Sequence, residues 1–445
     1  MRSILFLLVA LAWLAVTSAA AGHVLLRKRD PRGSALWLVL IVLLPVAGPA
    51  FYWILGVNRL YREKVVQARR EAARGSGMHR SRSSAGAGRV QPPAMSAMNR
   101  ISERITGEPL VEGNLIDPLY EGNQAFPAML TAIGAAQRSV NLTTYILDRD
   151  AVGRRIVHSL CDAARRGVQV RVLVDGVGTS RAALAMAHRL RGSGASLAVF
   201  HPLPLFPFRR PSINLRNHRK ILIVDGKVGF TGGINLTSRH LSTRMEKEEL
   251  ARDVHFRVEG PVLASMQEVF ADDWYASQGE IIEGDLFFPE LPRAGECIAR
   301  AVASGPDQDL EKIYQIVLAV LRSARDRVVI MTPYFIPDRA IIQAVRTAVL
   351  AGVAVDLLLP AKSDHPLVQM ASMSFLPELI ETGVRAIMVP PPFVHSKLMI
   401  VDGTWSLIGS ANLDPRSFRL SFEFDLEVYS RQLAVELERY AQRMS

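Results

Sequence analysis

His218-Arg-Lys220-Ile-Leu-Ile-Val-Asp225-Gly, running on to Gly232-Gly233-Ile-Asn235-Leu, is answered 177 residues later by His395-Ser-Lys397-Leu-Met-Ile-Val-Asp402-Gly, running on to Gly409-Ser410-Ala-Asn412-Leu. Nine of 19 aligned positions are identical, and they include every His, Lys, Asp and Asn of the pattern. Ile221 to Val224 and Leu398 to Val401 are short apolar runs closed by Asp-Gly, which predicts a buried strand entering a turn. Residues two apart on a strand project to one side, so His218 shares a side with Lys220, and His395 with Lys397. An imidazole beside an ammonium, with an amide downstream, suits an anionic ester. The imidazole attacks or donates a proton, while Lys and Asn hold the oxygens on which charge develops. Two copies in one chain predict one composite site with two halves.

The H-x-K-x4-D pattern followed by G-[GS]-x-N, present twice, resembles the signature of the phospholipase D superfamily. Gly409-Ser-Ala-Asn-Leu-Asp-Pro-Arg-Ser417 is similar to the bacterial cardiolipin synthase branch, as are Asn214-Leu-Arg-Asn-His-Arg-Lys220, Arg252-Asp253-Val-His and Thr332-Pro-Tyr-Phe-Ile-Pro-Asp338. The resemblance implies an α/β fold. It consists of two similar phospholipase D-like domains, each a mixed sheet flanked by helices, that form one active site behind an amino-terminal transmembrane helical hairpin. It implies phosphatidyl transfer between two phosphatidylglycerol molecules, giving cardiolipin and glycerol through a phosphatidyl-histidine. The alternative is a membrane-bound phospholipase D that hydrolyses phospholipid to phosphatidic acid. The implied catalytic set is His218, Lys220, Asp225, His395, Lys397 and Asp402, with family precedent favouring His218 as nucleophile. Asn235 and Asn412 would bind phosphate. Asp253 and Glu423, each at the head of an alternating strand-like segment after a motif, would accept a hydrogen bond from the far nitrogen of a histidine. Asp225 and Asp402 sit where a turn-forming Asp-Gly explains them without chemistry, and a structural role is expected.

From the amino terminus, residues 4–26 and 35–55 are almost wholly apolar, each long enough to cross a bilayer core of ~30 Å. The alternative for the first is a cleaved signal peptide, Arg2 and the small residues Ser18 to Ala21 fitting that pattern. Pro45 and Gly48-Pro49 predict a kink in the second span, and Trp37, Tyr52 and Trp53 read as interface anchors. Residues 59–100 carry ten Lys or Arg against two acids, +8 of the chain's +11. Residues 1–58 carry +4, so the 345 that follow residue 100 carry −1. The basic charge therefore belongs to a juxtamembrane segment, which favours anionic lipid headgroups over nucleic acid.

Gly75 to Met98 lacks apolar periodicity and reads as a flexible linker. The resulting division is a hairpin at 1–58, a basic segment and linker at 59–100, and catalytic halves at 101–283 and 284–445. In the first half Val140 to Ile146 and Val168 to Val174 read as strands, and Ile156 to Arg166 and Arg181 to Gly192 as helices. Val328 to Met331 and the helix Ala340 to Leu350 repeat that order.

Arg209, Arg210, Arg216 and Arg219 follow the apolar Leu203-Pro-Leu-Phe-Pro-Phe208. They read either as an interfacial loop with arginines at phosphate depth or as an ordinary solvated loop. Cys161 and Cys297 give no disulfide framework. His201, His240, His255 and His365 lack paired metal-ligand spacing, and the implied chemistry requires neither metal nor cofactor. The expected partners are membrane phospholipids, phosphatidylglycerol and cardiolipin. The expected location is a bacterial inner membrane, crossed more than once, with the catalytic halves on the cytoplasmic side.

Overall fold

The computed structural model describes residues 2–27, 31–44, 46–56, 93–202, 214–242 and 250–444. It comprises two compact units. One holds the amino-terminal helices, and the other holds both motif-bearing halves.

Helix Arg2–Arg27 is apolar and long enough, over Ala10–Arg27, to cross a membrane. The second expected span is not one helix. Pro31–Leu43 ends before a short helix Ala47–Phe51 and a π turn Tyr52–Gly56, a break at the stretch where the prolines predict a kink. Tyr52 is not an interface anchor. It is fully buried beside Ala20, Val24 and Ile41, its hydroxyl lies 2.6 Å from His23 Nδ1, and Trp37 and Trp53 pack against its ring. These three rings thus pack on one another within the amino-terminal helices, while Trp13 and Phe51 are exposed.

The larger unit is built from strands β1 (Val111–Tyr120), β2 (Ser139–Thr144), β3 (Gln169–Asp175), β4 (Ser196–Phe200), β5 (Arg216–Asn217), β6 (Ile221–Val224), β7 (Val228–Gly232), β8 (Ala251–Arg252) and β9 (Val254–Glu259) in the first half. The second half contributes β10 (Cys297–Ser304), β11 (Arg327–Met331), β12 (Ala354–Pro360), β13 (Arg385–Val389), β14 (Phe393–Val394), β15 (Leu398–Val401), β16 (Trp405–Gly409) and β17 (Ser421–Tyr429). The spatial order in the first half is β4-β3-β2-β6-β7-β9-β1, and in the second β13-β12-β11-β15-β16-β17-β10. The two orders match strand for strand. They join where β1 pairs antiparallel with β10, Val111 opposite Ala299. In each half three strands are parallel and the motif strand runs against them.

The motif strands β6 and β15 are wholly buried, as their unbroken Ile, Leu, Met and Val runs require. Strands covered on both faces have no polar alternation to show. Asp150 and Asp338 cap the first helix after β2 and β11, accepting from Gly153 N at 2.9 Å and from Ile341 N at 3.1 Å.

The expected linker ends earlier than its composition suggests. Pro93–Thr106 is a helix, and Met98, buried, packs into the core of the second half with Val302 and Ile316, Ile105 lying against the same core. Ser102 Oγ donates to Glu427 Oε1 at 3.1 Å. Met98, Ser102 and Ile105 are spaced i, i+4, i+7, a helical face that the surrounding Pro, Ser and Arg conceal. The segment therefore opens the first half in sequence and packs into the second.

Candidate active site

Two-residue strands bring the halves together. β5 lies parallel to β17, with Asn217 opposite Phe422. β14 lies parallel to β8, with Val394 opposite Arg252. The next residue in each is the motif histidine, and its amide continues the exchange: His218 N donates to Phe422 O at 2.9 Å, and His395 N to Arg252 O at 2.7 Å.

This register sets which acid meets which histidine. In the chain Asp253 follows His218 and Glu423 follows His395, but the structure crosses them. His218 Nδ1 lies 3.0 Å from both Glu423 oxygens, and His395 Nδ1 lies 2.7 Å from Asp253 Oδ2. Both carboxylates are fully buried. A carboxylate on Nδ1 holds the proton there and leaves Nε2 with its lone pair.

Lys220 Nζ donates to His218 O at 2.8 Å, and Lys397 Nζ donates to His395 O. Each ammonium is thereby held by the carbonyl of its own motif histidine, and Lys397 Nζ also lies 3.0 Å from His395 Nδ1. Asn235 and Asn412 are buried, and neither Oδ1 has a hydrogen-bond partner among the described residues. Their backbones are fixed instead. Asn235 N donates to His240 Nε2 at 3.3 Å and Asn412 N to Ser417 Oγ at 3.2 Å.

Electrostatics follow from burial. Burial, then the ammoniums of Lys220 and Lys397, pulls His218 well below its ordinary range, and burial with the same two lysines does so for His395. Burial lowers Lys220 to about 7 against the pull of Glu423, and Lys397 to about 8 against Asp253. Burial raises Glu423 to about 7 and also raises Asp253, the nearby lysines opposing both shifts. Cationic and neutral donors thus crowd a desolvated space, and a phosphodiester anion brought among them would stabilise the charged forms of all four bases.

Asp225 and Asp402 lie at the other ends of the motif strands, beyond β6 and β15. Both occupy left-handed backbone, at φ 54° and 52°. Asp225 accepts from the amides of Gln137, Arg138 and Ser139, and Asp402 from those of Arg325, Asp326 and Arg327. Each clamps the turn that enters the neighbouring strand.

The arginines near His218 divide. Arg209 and Arg210 lie outside the described residues, as does Leu203 to Phe208. Arg216 and Arg219 are buried, not interfacial: Arg216 pairs with Asp175 at 3.6 Å and Arg219 with Asp273 at 2.5 Å. They lock the backbone on either side of Asn217 and His218, and removing either partner would strand a buried charge.

Ser410, the variable [GS] position of the second motif, donates its Oγ to Glu423 Oε2 at 2.5 Å. Two neighbours of the site carry no motif letter: Tyr145 meets the His218 ring edge-on at 4.8 Å, and His240 lies 6.0 Å from His395. Extending the repeat alignment past the asparagines would have found His240 and Ser417, both five residues on. His240, Asp253 and His395 form the one cluster of metal-ligand type among the described residues. Within the protein His240 Nδ1 faces Ala251 O at 3.2 Å, its Nε2 takes the Asn235 amide, and Asp253 Oδ2 lies on His395 Nδ1, which leaves His395 Nε2.

Comparison with known proteins agrees with this architecture. Residues 129–274 and 317–445 match the family described as cardiolipin synthase, PLD-like domain, and residues 15–56 match the phospholipase D-nuclease N-terminal family. Cardiolipin synthase of Geobacillus kaustophilus (strain HTA426) is 34% identical, over 91% of this chain and 81% of its own. Cardiolipin synthase A of Pseudomonas entomophila (strain L48) is 35% identical, over 95% and 88%. The solved phosphatidylserine synthase of Haemophilus influenzae Rd KW20 shares the fold at 16% identity, with a TM-score of 0.61 over 78% of this chain and 90% of that one. The chain belongs to the cardiolipin synthase family of phospholipase D-like proteins.

Proposed function

We propose that the protein is a membrane-anchored phosphatidyltransferase that makes cardiolipin and glycerol from two molecules of phosphatidylglycerol. The observation that carries this reading is the crossed site, in which each His-Lys pair of one half is completed by a carboxylate of the other. One phosphodiester can then meet two imidazoles and two ammoniums at once.

His218 is assigned as nucleophile. Its Nε2 lone pair attacks phosphorus, the P–N bond forms as the P–O bond to glycerol breaks, and Glu423 stabilises the positive charge left on the ring. His395 acts as the imidazolium that the bound phosphodiester anion and Asp253 stabilise: it gives its Nε2 proton to the departing alkoxide and is left neutral. It then takes the proton of the hydroxyl of a second phosphatidylglycerol, whose oxygen displaces the histidine from phosphorus. Lys220, Lys397, Asn235 and Asn412 neutralise the non-bridging oxygens in both steps. The exchange replaces one phosphodiester by another, so it needs no activated donor.

Helix Arg2–Arg27 and the broken segment after it are assigned as a two-span anchor, with the catalytic halves in the bacterial cytoplasm. The seven Lys or Arg at Arg2 and between Arg59 and Arg74 outnumber the four in the loop at Arg27 to Arg32. A topology reporter fused at Ser445 should score cytoplasmic, and a periplasmic score would reverse the assignment.

With phosphatidylglycerol as sole lipid in detergent micelles, cardiolipin and free glycerol should accumulate in equal amounts, with phosphatidic acid minor. Added glycerol should drive cardiolipin back to phosphatidylglycerol. Phosphatidic acid as the dominant product at every surface concentration, with no response to glycerol, would make the protein a hydrolase.

A further inference from the structure

The helix Pro366–Thr382 turns an apolar face outward. Its inner face is buried through Ser372, Leu376 and Leu379. On its outer face Leu367 is 80%, Met370 69% and Ile380 52% exposed, with Met373 and Pro377 between them. From Pro366 to Ile380 every exposed position is apolar or serine, and the first exposed charge is Glu381. At about 1.5 Å per residue this face is about 22 Å long. An ordinary surface helix carries its charges on that side.

The helix begins beside the site. A chain of ring contacts runs from His395 to Phe393 at 5.9 Å, from Phe393 to Tyr334 at 6.3 Å, and from Tyr334 to His365, the residue before the helix, at 5.8 Å. Tyr334 also donates to Asp364 Oδ1 at 2.7 Å. The helix follows the carboxyl end of β12. At the matching end of β3 in the other half, Val177 is 42% exposed. Its amide donates to Asp175, the partner of Arg216 beside His218. The second half therefore presents an apolar helix, and the first half Val177, on the side of the shared site.

We infer that this rim, and above all the outer face of Pro366–Thr382, docks into the surface of a phospholipid bilayer. The inference rests on the proposed lipid substrate. A diacyl phospholipid reaches a buried phosphate site only if the mouth meets the bilayer, because its acyl chains gain nothing by crossing water. A flat lipid surface touches both halves of a pseudo-symmetric rim together. A second copy seated on the same face would instead cover the mouth.

The test uses the full chain in phosphatidylglycerol nanodiscs, with a fluorophore attached at Leu367→Cys, at Met370→Cys or, as control, at Arg165→Cys. Arg165 ends the helix that leads back to the amino end of β3, away from the site. Lipids brominated in the upper acyl chain should quench the first two labels at least twofold and leave the third unchanged. Leu367→Asp with Met370→Asp should slow turnover of nanodisc phosphatidylglycerol about tenfold and leave turnover of a short-chain, monomeric analogue as it was. Absence of quenching at 367 and 370, or equal quenching at 165, would overturn the docking surface. So would dilution-sensitive energy transfer between copies labelled at Met370→Cys without quenching by lipid. Quenching together with phosphatidic acid as main product would retain the docking surface and overturn the synthase reading.

Discussion

The two half-sites share a plan and differ in the support given to each histidine. Glu423, which holds His218, receives a hydroxyl from Ser410 at 2.5 Å. Asp253, which holds His395, has Gly233 at the equivalent place, and a Cβ there would lie 2.3 Å from its oxygen. The longer acid leaves room for a serine donor, whereas the shorter one sits against bare backbone. A second difference lies further along each motif, where Ser417 anchors Asn412 and His240 anchors Asn235. A duplicated fold thus holds two histidines in like positions with unlike surroundings, which suits the two different roles proposed for them.

The largest effects are expected at the histidines. His218→Ala and His395→Ala should each lower turnover by about 10⁴-fold or more, and the double variant should be little worse, since residues acting as a unit are not additive. Single variants that each keep half the activity would mean two independent sites and end the comparison.

The acids should separate the halves. Glu423→Gln and Asp253→Asn should each cost about 10- to 100-fold, the range for groups that orient a reacting imidazole. Their pH profiles should differ. A carboxylate raised to about 7 takes up a proton as pH falls through that value. It then loses the charge that stabilises an imidazolium on His218, so wild-type activity should decline below about pH 7. Glu423→Gln should flatten that limb and Asp253→Asn should keep it. A limb that survives Glu423→Gln would assign it elsewhere.

The smallest catalytic effect is expected at the turn acids, where the halves are alike. Asp225→Ala and Asp402→Ala each free three backbone amides and should lower stability by about 1–3 kcal/mol, read as a fall in Tm. The kcat of the protein that remains folded should change little. A loss of kcat as large as at the histidines would make these acids part of the chemistry.

The repeat made much of this legible. Apolar runs closed by Asp-Gly identified β6 and β15 to the residue, and the duplicated His, Lys and Asn picked out the groups assigned to the proposed site. The crossed partnership was not legible, because it depends on β5 and β14. A two-residue strand has no periodicity, and its pairing with a distant segment of the chain, in the other half, leaves no local trace. Arg216 and Arg219 misled for a related reason. A charge run looks the same whether it meets water or buried Asp175 and Asp273. Composition misled at Pro93–Thr106, where Met98 and Ile105 find their core only in the other half.

The central claim is that each catalytic histidine is held by the acid of the opposite half. It is tested most directly by proton NMR of the full chain labelled with ¹⁵N-histidine. Two downfield Nδ1–H resonances are expected, one from His218 and one from His395, each assigned by its loss in the alanine variant. Glu423→Gln should move the His218 resonance upfield and leave that of His395, and Asp253→Asn should do the reverse. If Glu423→Gln moves His395, or Asp253→Asn moves His218, the halves are not crossed and the account of the site is wrong.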